Sequence, residues 1–278
     1  MISDKTVEEH YQHGNLLSEI ELALTESGKN ISTLTLNDLA PVDEFHIGGR
    51  VASAHFLEQL HLQPQQSILD IGCGLGGAAR FVASTYQSLV TGIDLTAEYI
   101  ETGNELSRWL GLTEQVTLQQ ASALAMPFSP ESFDGAYMMH VGMNIDDKKQ
   151  LFKDVFRVLR SGSKFGIYDI MLLKLDTNGI SYPVPWAAHS KNSCLATVET
   201  YQQQLSLAGF EVMSVNNRSN FALDFFKKMQ EKNKANGAVP PLGLHTLMQA
   251  SSAEKIKNML NNITHGLIAP VEIILQKV

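Results

Sequence analysis

The chain has 278 residues and a mass of 30.6 kDa, with 21 Lys and Arg against 29 Asp and Glu, a net charge of −8 and a pI near 5.6. This acidic excess repels phosphate, which excludes a general nucleic-acid binder and disfavours an anionic membrane surface. Hydrophobic residues make up 44% of the chain, so it is globular rather than disordered, and its length suits one α/β domain with insertions.

No uncharged apolar run approaches the roughly 18 residues needed to span a bilayer. The opening Met1 to His10 lacks the apolar core of a signal peptide. Two cysteines, Cys73 and Cys194, make neither a disulfide framework nor a zinc site, and no metal is expected. A reducing, cytoplasmic compartment is the expectation.

Residues 1–60 read as a helical cap. Ser3 is placed to cap a short polar helix, and Leu16, Ile20 and Leu24 repeat every four residues on one apolar face. A loop over Asp43-Glu44-Phe45-His46-Ile47-Gly48-Gly49 leads into a helix near residues 50–60. From Ser67 the pattern alternates strand and helix. Strands are predicted over Ser67–Ile71, Leu89–Ile93, Gln115–Gln119, Phe133–Met139, Ser163–Ile170 and Phe210–Val215. Helices are predicted after the first, second and fourth of these, and again over Thr197–Leu207. Such alternation argues for a parallel sheet covered on both faces. Residues 61–218 form this α/β core, 219–265 a helical insertion joined at Asn236-Gly237 and Pro240-Pro241, and 266–278 a final strand of the same sheet.

The strongest local signal is Asp70-Ile71-Gly72-Cys73-Gly74-Leu75-Gly76-Gly77, between a strand and a helix. Glycines there allow a tight turn and close approach to a ligand. Asp94 follows about 20 residues after Gly74, at the end of the next strand, where a carboxylate accepts from ribose hydroxyls. The loop alone serves two enzyme classes, a nicotinamide-dependent oxidoreductase and a methyltransferase. A third reading is a non-catalytic cofactor-binding protein.

The wider order of motifs resembles the class I S-adenosylmethionine-dependent methyltransferases. Ile68 to Gly77 looks like their first motif, Thr91-Gly92-Ile93-Asp94-Leu95 like their ribose-binding strand, and Met126-Pro127-Phe128 with Ser132-Phe133-Asp134 like the run into their fourth strand. Arg157-Val158-Leu159-Arg160-Ser161-Gly162 resembles the turn before the fifth. Asp43 to Gly49, Gly76 to Arg80 and Val184-Pro185-Trp186-Ala187 resemble the small-molecule branch, which includes sarcosine and dimethylglycine N-methyltransferases. The resemblance implies a three-layer Rossmann-like fold with a seven-stranded, mostly parallel sheet and an antiparallel last strand. It implies methyl transfer from S-adenosylmethionine, leaving S-adenosylhomocysteine, to a small soluble acceptor such as an amine. No nucleic-acid partner is expected, and a homodimer is left open.

The same resemblance assigns cofactor contacts to Gly72, Cys73, Gly74, Asp94, Leu95, Ser122, Ala123, His140 and His46. Ser122 stands where the family usually has an acid for the adenine amino group, and serine accepts without charge. His140, just after the fourth strand, is the candidate catalytic residue. Trp186, in a proline-bounded loop, is the candidate acceptor wall, with Asn144 orienting the substrate.

Overall fold

The computed structural model describes residues 4, 7, 11, 14–175, 177–236, 241–248 and 251–278, without the side chains of 232–236 and 244. The expected cap at Ser3 and the 237–240 connection lie outside the described residues. Seven strands form one sheet: β1 (Ser67–Ile71), β2 (Leu89–Asp94), β3 (Val116–Gln120), β4 (Phe133–Met139), β5 (Leu159–Leu172), β6 (Phe210–Asn217) and β7 (Ile268–Lys277). Their order is β3-β2-β1-β4-β5-β7-β6. β1 to β5 pair in parallel, and β7 runs antiparallel between β5 and β6. This is the expected three-layer Rossmann-like sheet.

Side-chain alternation sorts the two faces. Leu69 and Ile71 of β1 join Ala136 and Met138 of β4 in one core cluster. It is covered by Leu151, Phe152, Val155 and Val158 of α6 (Lys148–Val158) and by Tyr201 and Leu205 of α7 (Val198–Ala208). Ile68, Tyr137 and Tyr168 face the other way. Against them lie α3 (Gly49–Glu58), α4 (Gly77–Tyr86) and α5 (Ala97–Trp109). Both faces are buried, so the strands read as apolar runs. The fifth strand opens at Leu159 rather than Ser163. Leu159 already pairs with Phe133, and the register shifts between Phe133 and Gly135, so the Ser161-Gly162 turn signal is absorbed as an irregularity inside a long strand.

The cap is α1 (Leu16–Glu26) and α2 (Leu36–Asp43), and the late segment holds α8 (Ser219–Asn236), α9 (Leu244–Met248) and α10 (Ser252–Thr264). Leu242 and Leu247 pack in one cluster with Leu16, Leu24, Leu39 and Tyr99, so the two segments meet over one end of the sheet. None of the described helices is long and apolar enough to cross a membrane.

The cap is tied to the core by a buried ion pair. Asp43, the last residue of α2, pairs with Arg80 of α4 at 2.6 Å, with both side chains fully buried. Arg80 Nη1 also donates to the Gly103 carbonyl at 3.0 Å and to Ser107 Oγ at 3.1 Å. A Cβ on Gly77 would lie 2.3 Å from the Asp43 carbonyl oxygen, so only glycine lets α2 approach this closely. A core cut at residue 50 would keep the Arg80 cation and lose its carboxylate. Removing one partner of a buried pair costs about 3–5 kcal/mol, because the remaining charge is uncompensated. Asp43→Ala should therefore lower the unfolding free energy by about that amount in urea titration. A loss below about 1 kcal/mol would make the pair dispensable.

Candidate functional site

In this strand order the winding of the sheet reverses between the parallel neighbours β1 and β4. Ligands of open α/β sheets bind at that switch point, beyond the carboxyl ends of the strands. A pocket lies there, walled by the loops after β1, β2, β3 and β4 and roofed by Tyr11, Val42, Phe45, His46 and Leu247. Gly72, Cys73, Gly74, Asp94, Leu95, Ser122, Ala123, His140, Asn144 and His46 all line it.

The floor is set by backbone geometry. Gly72, Gly74 and Gly76 have φ of 69°, 53° and 78°, in the left-handed region. The Gly72 and Cys73 amides both donate to the Ile93 carbonyl, at 2.8 and 2.9 Å, which ties the loop to β2. A Cβ on Gly72 would meet Val141 Cγ2 at 2.4 Å, so this glycine also admits the loop after β4. Asp94 accepts from the Gly74 amide through Oδ2 and from the Thr96 amide through Oδ1, each at 2.9 Å. Ser122 Oγ accepts from the Leu124 amide at 3.2 Å. The Cys73 thiol is pushed well up by burial and is a small buried group, not a nucleophile.

Asp70 is a buried acid of the lining. It sits opposite Tyr137 in the β1–β4 ladder and accepts from the Tyr137 hydroxyl at 3.0 Å. Burial pushes its carboxyl up to about 7, with the nearby Asp94 charge adding to the shift and Tyr137 opposing it. Burial also raises Asp94, against the amides it accepts from. Asp4, Asp43, Asp146 and Asp147 complete the acidic lining, and no Lys or Arg is among the described lining residues.

The upper wall carries two histidines whose rings lie 5.8 Å apart. His140 holds φ of 58°, uncommon for a residue with a side chain, and its amide donates to the Tyr168 carbonyl at 2.7 Å. Its Nε2 is buried with no hydrogen-bond partner among the described residues, and burial, with His46 nearby, pushes its protonated form well down. His46 Nε2 lies 2.9 Å from Glu44 Oε2. Glu44 also accepts from Ser53 Oγ at 2.6 Å and from Arg50 Nε.

Trp186 is not in this pocket. It is 3% exposed and packs with Val184, Ile170, Phe226 and Met259, its Nε1 donating to Ser193 Oγ at 2.9 Å. The backbone exchange between Val184 and Ala187 folds the proline-bounded loop inward, so the indole is core. The aromatic and apolar side chains that do line the pocket include Tyr11, Phe45 and Met139. Tyr11 accepts from Asn144 Nδ2 at 3.3 Å, which places Asn144 against the cap. Tyr11 and Leu247 carry no local sequence signal, because they reach the site only through tertiary packing.

Residues 68–162 match the family model described as a methyltransferase domain. The chain is 31% identical over 189 residues to phosphoethanolamine N-methyltransferase 1 of Zea mays, covering 68% of this chain and 37% of that protein. It spans between 34% and 64% of the length of the curated relatives it matches. Among solved structures, phosphoethanolamine N-methyltransferase 2 of Haemonchus contortus, in complex with phosphomonomethylethanolamine and S-adenosylhomocysteine, superposes with a TM-score of 0.74 at 19% identity. That match covers 100% of this chain and 61% of the other. The [4+2]-cyclase SpnF superposes with a TM-score of 0.72 at 18% identity, covering 99% and 97%. These two likenesses speak for the fold.

Asp70 makes stability depend on pH. In the unfolded chain its carboxyl ionises near 3.8, whereas in the fold it holds its proton to about 7. The folded state therefore binds more protons between those values, and stability falls as pH rises through that window, by of the order of 4 kcal/mol. Asp70→Asn should flatten this fall when urea midpoints are compared at pH 5 and pH 8. Parallel pH profiles for variant and parent would assign the effect elsewhere.

Proposed function

The chain carries a methyltransferase domain of the class I S-adenosylmethionine-dependent kind, and we propose that it transfers a methyl group from S-adenosylmethionine to a small soluble acceptor, an amine in the reading favoured here. The observation that carries this is the charge of the pocket: buried Asp70 and Asp94 lie in one lining that offers carboxylates and, among its described residues, no Lys or Arg. S-adenosylmethionine brings an ammonium and a sulfonium, which such a lining favours. A dinucleotide brings a pyrophosphate, which needs a free helix N-terminus or a cation. Here the start of α4 is already covered by Asp43, and Asp70 accepts from the Ala79 amide in its first turn. Nicotinamide chemistry is disfavoured on the same ground.

The residues present fit the cofactor. Gly74 opens onto free space, where a Cβ would meet nothing within 4 Å, and Asp94, held beside it by the Gly74 and Thr96 amides, is the acceptor for the ribose hydroxyls in this reading. In this reading the lining residues Ser122 and Ala123 take the adenine end and His46 and His140 the reacting end. The bound cofactor supplies a methyl already activated by its sulfonium, so the protein has chiefly to position the acceptor and exclude water. Tyr11, Phe45 and Met139 offer an apolar and aromatic wall for the acceptor, and the unpartnered His140 Nε2 offers it one hydrogen bond. A phosphorylated acceptor would set a dianion among carboxylates, whereas an unphosphorylated amine suits them.

Calorimetric titration with S-adenosylhomocysteine and with NAD separates the classes: the first binds and the second does not. Asp94→Ala removes two charge-assisted bonds worth about 2–4 kcal/mol, so S-adenosylhomocysteine should bind about 30- to 1,000-fold more weakly. An unchanged affinity would remove Asp94 from the cofactor site.

A further inference from the structure

The two pocket histidines face different surroundings. His140 is enclosed by His46 and Tyr168, with no carboxylate among the described residues bonded to its ring. Burial keeps it neutral and makes it a poor proton acceptor. His46 faces Glu44 and Ser53 on one side, His140 from the loop after β4, and Tyr168 from β5, while the Arg50 charge lies on the far oxygen of Glu44.

A carboxylate only accepts, so Glu44 Oε2, 2.9 Å from His46 Nε2, fixes the ring's proton on Nε2 and leaves the lone pair on Nδ1. Nδ1 lies 3.4 Å from the Ile47 carbonyl, which also accepts from the Tyr168 hydroxyl at 2.9 Å. A second proton arriving at Nδ1 therefore meets an acceptor, and the resulting cation meets the Glu44 charge. Burial alone would raise the Glu44 carboxyl, but the hydrogen bonds from His46 and Ser53 and the Arg50 charge outweigh it and hold the carboxyl low. It is a permanent counter-charge inside the roof.

Resting on the methyl-transfer reading above, we propose that His46, backed by Glu44, takes the proton released by the acceptor, while neutral His140 orients that acceptor. The acceptor nitrogen gives its lone pair to the methyl carbon as the carbon–sulfur bond breaks. The electron pair of that bond stays on sulfur, and the N–H proton passes to His46 Nδ1. The acceptor is thus an atom that must shed a proton. Glu44 is a positioning residue in this scheme, and Ser53 and Arg50 position Glu44.

The test uses the full chain with S-adenosylhomocysteine bound. Nitrogen-15 NMR of the histidine rings should show neutral His46 protonated at Nε2, and Glu44→Gln should let the Nδ1-protonated form appear. His46 protonated at Nδ1 in the parent chain would overturn the proposal without any appeal to turnover. Methylation of methylamine, monomethylethanolamine and histamine is then followed from pH 6 to 9. His46→Gln should lower kcat at least 100-fold and abolish the fall in rate at low pH. Glu44→Gln should lower kcat about 10- to 100-fold, by loosening the tautomer. His140→Gln should raise KM and keep the pH dependence. Loss of that dependence in His140→Gln, with its retention in His46→Gln, would reverse the assignment. A chain that binds S-adenosylhomocysteine but methylates none of the three amines would overturn the amine reading of function, and the tautomer would still judge the dyad.

Discussion

The buried pair of Asp43 and Arg80 is the constraint on which the site depends. It draws the end of α2 onto the first turn of α4, directly behind the glycine loop. The short loop that follows Asp43 then has one way to go, across the mouth of the pocket, and it carries Glu44, Phe45 and His46 with it. The same guanidinium reaches α5 through the Gly103 carbonyl and Ser107, so three helices share one cation. Breaking this pair would disturb the floor and the roof together. Cap and core share this buried pair, even though their sequences read as separate segments.

Electrostatics divides labour within the pocket. Acids crowd the pocket, and Asp43, Asp70 and Asp94 hold protons more tightly than free carboxyls because burial penalises their charge. A cationic ligand relieves that penalty, which is a source of affinity that needs no further contact. The roof works in the opposite sense. Glu44 is also buried, yet three donors keep it ionised. Carboxylates at floor and roof thus behave in two ways, because Glu44 meets the Arg50 guanidinium as well as neutral donors, whereas Asp94 meets backbone amides and a hydroxyl.

Much of this was legible in the sequence. Strand-helix alternation from Ser67 gave the sheet, and the glycine loop with Asp94 gave the floor, because both are local patterns with a fixed physical period. Ser122, Ala123, His140, Asn144 and His46 line the pocket with them. Trp186 was misread because a proline-bounded loop looks exposed, whereas hydrogen bonds between Val184 and Ala187 turn it inward. Tyr11 and Leu247 were invisible for another reason. They come from opposite ends of the chain and meet the pocket only when α1, α2 and α9 close together. The role of Glu44 needed the loop conformation, since neither its spacing from His46 nor that from Ser53 is a recognisable period.

The place of β7 has a consequence for synthesis. This strand comes last in the sequence but lies between β5 and β6, and nearly all of its residues are buried. Until residues 268–277 have been made, β5 offers an apolar unpaired edge and β6 has nothing to pair with. Such edges are templates for association with other chains. The nascent polypeptide is therefore committed to a vulnerable interval that ends only when its final strand slots into the gap.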